Sequence, residues 1–211
     1  MKGQFIQALV VIRMDVDKPG PDSIKDNQFD VFVCAKNHVR VYRHSNGAMV
    51  LTLAEDHAVR RKARLWMDTG VEDAVRARVK KIAIREIKKG SGKRRIKGAS
   101  QITTGTWLMH VFWSEGTSDS SIQEKGGYGE GVDLDRHTSK LSIDSPVDGF
   151  PVELNDRLID EPWLMVTDPD DAGYIAIVRP PISRNGQKDG GCSKLMLNSE
   201  YIKKSLANLD S

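Results

Sequence analysis

Residues 29–53 read FDVFVCAKNHVRVYRHSNGAMVLTL, and this stretch decides the fold class. Phe29, Val31 and Val33 alternate with Asp30, Phe32 and Cys34, the period of two that a strand requires. Lys36-Asn37 suits a tight turn. Val39, Val41 and Arg43 then alternate with His38, Arg40, Tyr42 and His44. Asn46-Gly47 is a hairpin signal, because both residues tolerate positive φ. Ala48 to Leu53 returns as a third strand. The expected unit is an antiparallel β-meander, rich in the β-branched and aromatic residues that suit a pleated surface.

Upstream, residues 4–14 are apolar on both alternating faces and read as a strand covered on both sides. Asp17 to Asn27, with Pro19, Gly20 and Pro21, reads as an irregular loop. Downstream the period changes. Thr52 and Glu55 have capping-box spacing, which predicts a helix from there to about Asp68. Thr69 and Glu72 repeat the spacing, and Gly70 can close the first helix. In the second helix Val71, Val75, Val79 and Ile82 form one stripe, with Arg78, Lys81, Arg85 and Lys88 beside it. Past Lys81 the pattern fits a strand equally, since Ile82, Ile84 and Glu86 alternate.

Thr106 to Trp113 is apolar on both faces and reads as a central strand. Shorter strands are expected at Lys140–Ile143, Trp163–Thr167 and Gly173–Val178, a turn at Asp168–Asp171, and a helix at Ser199–Leu206. The fold class is α+β: an antiparallel meander, two central helices, a second group of strands and a short C-terminal helix. One domain over residues 1–211 is expected. The alternative is a division near residue 100, between a meander with basic helices and an acidic β-rich part.

The chain has 211 residues, 39% of them apolar, enough to bury a sizeable core. With 29% charged residues and two cysteines, it fits neither a coiled coil, nor a disulfide scaffold, nor a disordered chain. Cys34 and Cys192 lack metal-ligand spacing and read as free thiols. The apolar run from Phe5 to Met14 is interrupted by Gln7 and Arg13, too short for a signal peptide or a span. The reading is a cytoplasmic protein with no membrane partner.

Charge is unevenly distributed. Ala58 to Gly98 holds 15 Lys or Arg against 4 Asp or Glu, or +11; Glu115 to Asp171 holds 15 acidic against 4 basic, or −11. The overall +3 conceals both blocks. A dense cationic block gains affinity for nucleic acid by releasing condensed counterions. Arg60, Arg61 and Arg64 are expected to project from the first helix, and Arg78, Lys81, Arg85 and Lys88 from the second. Lys93, Arg94, Arg95 and Lys97 extend the field on a Gly-rich loop whose N–H groups can approach phosphate. On the meander, His38, Arg40, Tyr42 and His44 share a side, so Tyr42 can stack on a base while Arg40 meets phosphate.

The expected function is therefore non-enzymatic binding of nucleic acid, RNA or single-stranded DNA before duplex, mainly electrostatic and only weakly sequence-specific because phosphate contacts carry no base information. A place in a larger nucleoprotein complex follows. Two alternatives remain: an adaptor that joins other subunits or its own copies through the opposed blocks, and a metal-dependent nuclease using Asp15, Asp17, Asp133 and Asp135. No cofactor or metal is expected. Gly90-Ser91-Gly92-Lys93 is not a nucleotide loop, since Ile87 and Arg94 stand where Gly and Ser or Thr are needed. Asp168–Gly173 fails as a calcium loop at Ala172 and Arg179. No Gly-x-Ser-x-Gly elbow is present. His110 reads as a core histidine; Trp66, Trp107, Trp113 and Trp163 read as core or half-buried anchors. His38 or His44 could serve as a base only if RNA binds nearby. Gly126–Gly131, with Tyr128, reads as a surface loop.

Overall fold

The computed structural model describes residues 29–64, 71–88, 98–114, 138–181 and 190–207. These form an α+β fold. Strands β1 (Phe29–Cys34), β2 (Val39–His44) and β3 (Met49–Leu53) make the expected meander. Helices α1 (Ala58–Arg64) and α2 (Val71–Arg78) follow, then β4 (Val79–Ile84), β5 (Trp107–Ser114), β6 (Thr138–Asp144) and β7 (Phe150–Leu154). A 3₁₀ turn (Asp156–Ile159) and a one-turn helix α3 (Leu164–Thr167) lead to β8 (Ala176–Arg179). Another 3₁₀ turn (Cys192–Lys194), the short β9 (Met196–Leu197) and helix α4 (Asn198–Ala207) complete the order.

Two antiparallel sheets result. One runs β7-β8-β3-β2-β1-β9, the other β4-β5-β6. One face of the large sheet, with Val39, Val41, Leu51 and Leu53, shares a core with Ile82, Met109, Val111, Trp113 and Ile143 of the small sheet. Val59 and Ala63 of α1 and Val75 of α2 enter the same core. Each fully buried Val, Leu, Ile or Met side chain stabilises by roughly 1.5–3 kcal/mol. The core draws on residues from both sides of position 100. On the other face of the large sheet, Val33 and Ala54 pack against Tyr201 of α4.

Several local expectations give way to observed geometry. Only Gly47 (φ 86) carries positive φ in the second hairpin, which is a three-residue loop closed by the Gly47 N–H on the His44 carbonyl. In the first, His38 (φ 53) takes the left-handed position and donates its N–H to the Cys34 carbonyl. No capping box forms at Thr52, which lies buried inside β3. His57 caps α1 instead: its Nδ1 accepts the Val59 N–H at 3.2 Å. The second helix ends at Arg78. Val79 to Ile84 is a strand because β5 offers a ladder, so Lys81 is a strand residue and Arg85 and Lys88 follow it.

Trp163–Thr167 is helical rather than extended. Trp163 sits at φ −64, ψ −24, and the Thr167 hydroxyl donates back to the Trp163 carbonyl. Pro151 hides β7 from a sequence reading. As the edge of its sheet, β7 tolerates the missing N–H. Cys34 and Cys192 are reduced thiols. Among the described residues no helix is long and apolar enough to cross a membrane.

Candidate nucleic-acid interface

Among the described residues, the small sheet buries one face and leaves the other half-exposed. Along β5 the buried residues are Leu108, Met109, Val111 and Trp113, and Trp107, His110, Phe112 and Ser114 are half-buried. A register shift between Trp107 and Met109 puts Trp107 on the same side as His110. Three rows cross this outer face. Phe112 lies between Lys81 and Lys140, His110 between Ala83 and Ser142, and Trp107 beside Asp144. Lys81, Lys140 and Ser142 are exposed.

The aromatic groups form a stack. The Trp107 and His110 rings are 4.4 Å apart at 14°, and the Arg85 guanidinium carbon lies 5.3 Å from the Trp107 centroid. His110 Nδ1 has no hydrogen-bond partner, so stacking orients the ring. Desolvation, then Lys140, hold the imidazole below its ordinary pKa, with Asp144 opposing. The neutral ring offers a π-face. His110 is thus an outer-face residue, not the core histidine expected from its apolar neighbours. Trp107 is likewise part of this face, and Trp113 is core.

Lys81 and Arg85 are the sequence-predicted cations that the fold brings together here. Neither pairs with a carboxylate among the described residues, and the same holds for Arg61 and Lys88. Lys88 is exposed beyond β4, where its backbone pairs with Ser100. Arg60 and Arg61 lie on α1, whose apolar side enters the core behind the small sheet. The Arg60 guanidinium donates to the Leu53 carbonyl at 3.1 Å, closing the end of β3. Arg78 is half-buried at the end of α2, and Arg76 covers the Trp163 ring at 3.9 Å. The Arg64 side chain, Lys93, Arg94, Arg95 and Lys97 lie outside the described residues, as do Asp15, Asp17, Asp133 and Asp135. No group of three or more His, Cys, Asp or Glu is placed to hold a metal among the described residues.

The meander platform needs correction. Tyr42 is 3% exposed and cannot stack on a base. Arg40 is held by Asp170, with Nη1 at 2.9 Å from Oδ2, and also donates to the Tyr42 hydroxyl. Thr52 donates to the same carboxylate at 2.9 Å. Burial pushes the Tyr42 phenol up to about 12. The alternation was right, but this face of the meander is covered. His38 is also engaged, its Nδ1 2.6 Å from the Tyr201 hydroxyl, which donates to Asp56.

The residues of this face that the sequence reading did not put forward as binding candidates are Trp107, His110, Phe112, Lys140, Ser142 and Asp144. Lys140-Leu-Ser-Ile-Asp144 alternates polar and apolar residues, a legible sign of a half-exposed strand. The bulge at Leu108 hid the partner signal on β5.

No family model matches the chain, and no curated protein matches it. Among solved structures, a glycine cleavage system H protein from Mycobacterium marinum is similar over 83% of this chain and 96% of that chain, at 16% identity and a TM-score of 0.40. A likeness at that level carries no inference about what this chain does.

Proposed function

We propose that this protein binds nucleic acid, single strands of RNA or DNA before duplex, through the outer face of β4, β5 and β6. The observation that supports the reading is the Arg85–Trp107–His110 stack on a sheet face that is half-exposed among the described residues, with Lys81 and Lys140 flanking Phe112. Aromatic rings stack on unpaired bases, and lysines on neighbouring strands meet the phosphates between them. A face three strands wide suits an unpaired strand, and among the described residues no helix stands on it to enter a duplex groove. The role is binding rather than chemistry, and it suits a subunit of a nucleoprotein complex.

The test is a fluorescence-anisotropy titration with labelled RNA and DNA dodecamers, single-stranded and duplex. Wild type should bind the single strands more tightly. Changing Arg78, Lys81 and Arg85 together to Glu, or Trp107 to Ala, should lower that affinity at least tenfold while the circular dichroism spectrum is retained. Unchanged affinity in both variants would remove this face as the interface. Salt-sensitive oligomers in light scattering, with no nucleic acid bound, would favour the adaptor reading instead.

A further inference from the structure

The outer face has a polarity that bears on which bases it takes. Its β4 side carries cations, Lys81 and Arg85. Its β6 side carries Lys140 in the Phe112 row, but Ser142 and Asp144 alongside His110 and Trp107. A carboxylate repels a phosphate, so Asp144 does not belong on the backbone side of a bound strand. It is also fixed in place. The Asp144 carbonyl accepts from Asn37 Nδ2 at 2.9 Å, and Oδ1 accepts from the Ser142 hydroxyl at 2.5 Å. Its other oxygen, Oδ2, accepts no hydrogen bond among the described residues. Asp144 is half-buried, and Oδ2 is not one of the buried atoms without a partner, so this oxygen beside the aromatic stack is accessible to a donor from outside.

Resting on the nucleic-acid reading above, we infer that Asp144 reads the hydrogen-bonding edge of a base stacked on His110, selecting guanine over uracil or thymine. In the His110 and Trp107 rows the sugar–phosphate backbone then follows the β4 side, toward Arg85, and base edges point toward β6, while Lys81 and Lys140 meet phosphate in the Phe112 row. Guanine presents two adjacent donors, N1–H and the exocyclic amino group, which match the two oxygens of a carboxylate. Cytosine and adenine present one amino donor each. Uracil and thymine present a single N–H between two carbonyl oxygens, and these repel a carboxylate. A bidentate base contact discriminates by about tenfold or more, so the expected order is guanine first, cytosine and adenine between, uracil and thymine last.

The experiment compares octauridine with an octamer carrying one central guanosine, and the matching thymidine and deoxyguanosine pair, by anisotropy at low salt. Wild type should prefer the guanine-bearing strand by about tenfold in both series, since the contact is to the base and not the sugar. Asp144→Asn should bring that ratio below about twofold, because the amide replaces one acceptor with a donor. Ser142→Ala, which removes the group that orients the carboxylate, should lower the ratio without abolishing it, and it serves if Asp144→Asn does not fold. A preference in only one series would assign the reading to the sugar and overturn the inference. Equal binding of the two octamers by wild type, or a ratio untouched by either variant, would also overturn it while leaving the interface standing. Failure of wild type to bind any octamer would instead remove the nucleic-acid reading itself.

Discussion

At the scale of single residues, burial decides which polar groups are structural. His57 is 5% exposed, and burial, with His38, Arg61 and Arg60 nearby, lowers its pKa to about 4. The neutral form is also what its capping role demands, since Nδ1 must keep a lone pair for the Val59 N–H. The folded pKa lies below the ordinary value near 6.5, so the folded state resists taking a proton that the unfolded chain accepts. The contribution is fully present above about pH 6.5 and is lost as pH falls toward about 4, by at most about 1.4 kcal/mol per pH unit. Urea melts at pH 7, 6 and 5 should show that loss. His57→Asn keeps an acceptor for the cap and cannot titrate, so its stability should fall less over the same range; an identical slope would disprove the assignment. His57→Ala should cost about 1 kcal/mol at pH 7 from the lost cap. Arg40 teaches the same lesson from the other side. Its alternation with Tyr42 was legible, but the Asp170 that neutralises it lies 130 positions away, beyond any local pattern.

At the scale of elements, the tightest constraint is the turn after α3. Gly173 donates its N–H to the Asp168 carbonyl at 2.7 Å, and a Cβ there would lie 2.0 Å from the Leu164 carbonyl oxygen. The clash is with backbone, so the turn itself would have to move, taking Asp170 with it. Gly173→Ala should therefore destabilise by roughly 2 kcal/mol, within the usual cost of forced backbone strain. Thermal melting checks this; a midpoint within a degree of wild type would show that the turn relaxes freely. The meander, β6 and α4 were legible because a period of two or an amphipathic stripe runs through each, and β5 because its apolar run, Thr106 to Trp113, is dense on both faces. The end of α2 was not, because Val79 and Ile82 satisfy both a helical stripe and a strand, and only the β5 ladder selects the strand. Trp163–Thr167 misled for a related reason: apolar residues without a sheet neighbour curl into a turn of helix. Of the candidate face, Lys81 and Arg85 were legible from charge alone. The aromatic members were hidden by a bulge that breaks the alternation at Leu108.

At the scale of the whole molecule, the two charge blocks behave differently. Much of the described acidic block is engaged locally: Asp148 accepts from Thr104, Glu153 from Tyr174, Glu161 from Arg157, and Asp168 from the Ala172 N–H. Asp170 reaches across to Arg40, which lies outside the basic arc. The small-sheet cations Lys81 and Arg85 are left to act outward. If Lys81, Arg85 and Lys140 each neutralise one phosphate, counterion release fixes the salt dependence. For a single strand the slope of log affinity against log salt is about −0.7 per phosphate neutralised, so three contacts give a slope of about −2. Each charge-removing change, such as Lys81→Gln or Lys140→Gln, should flatten it by about 0.7, and Trp107→Ala should weaken binding with the slope unchanged. Stacking and phosphate contacts are thereby separated in one set of titrations between 50 and 200 mM salt, a range over which about −2 in slope means roughly sixteenfold in affinity. A slope near zero would show that the cations do not meet phosphate. A slope unmoved by both lysine changes would place the phosphate contacts on another surface of the molecule.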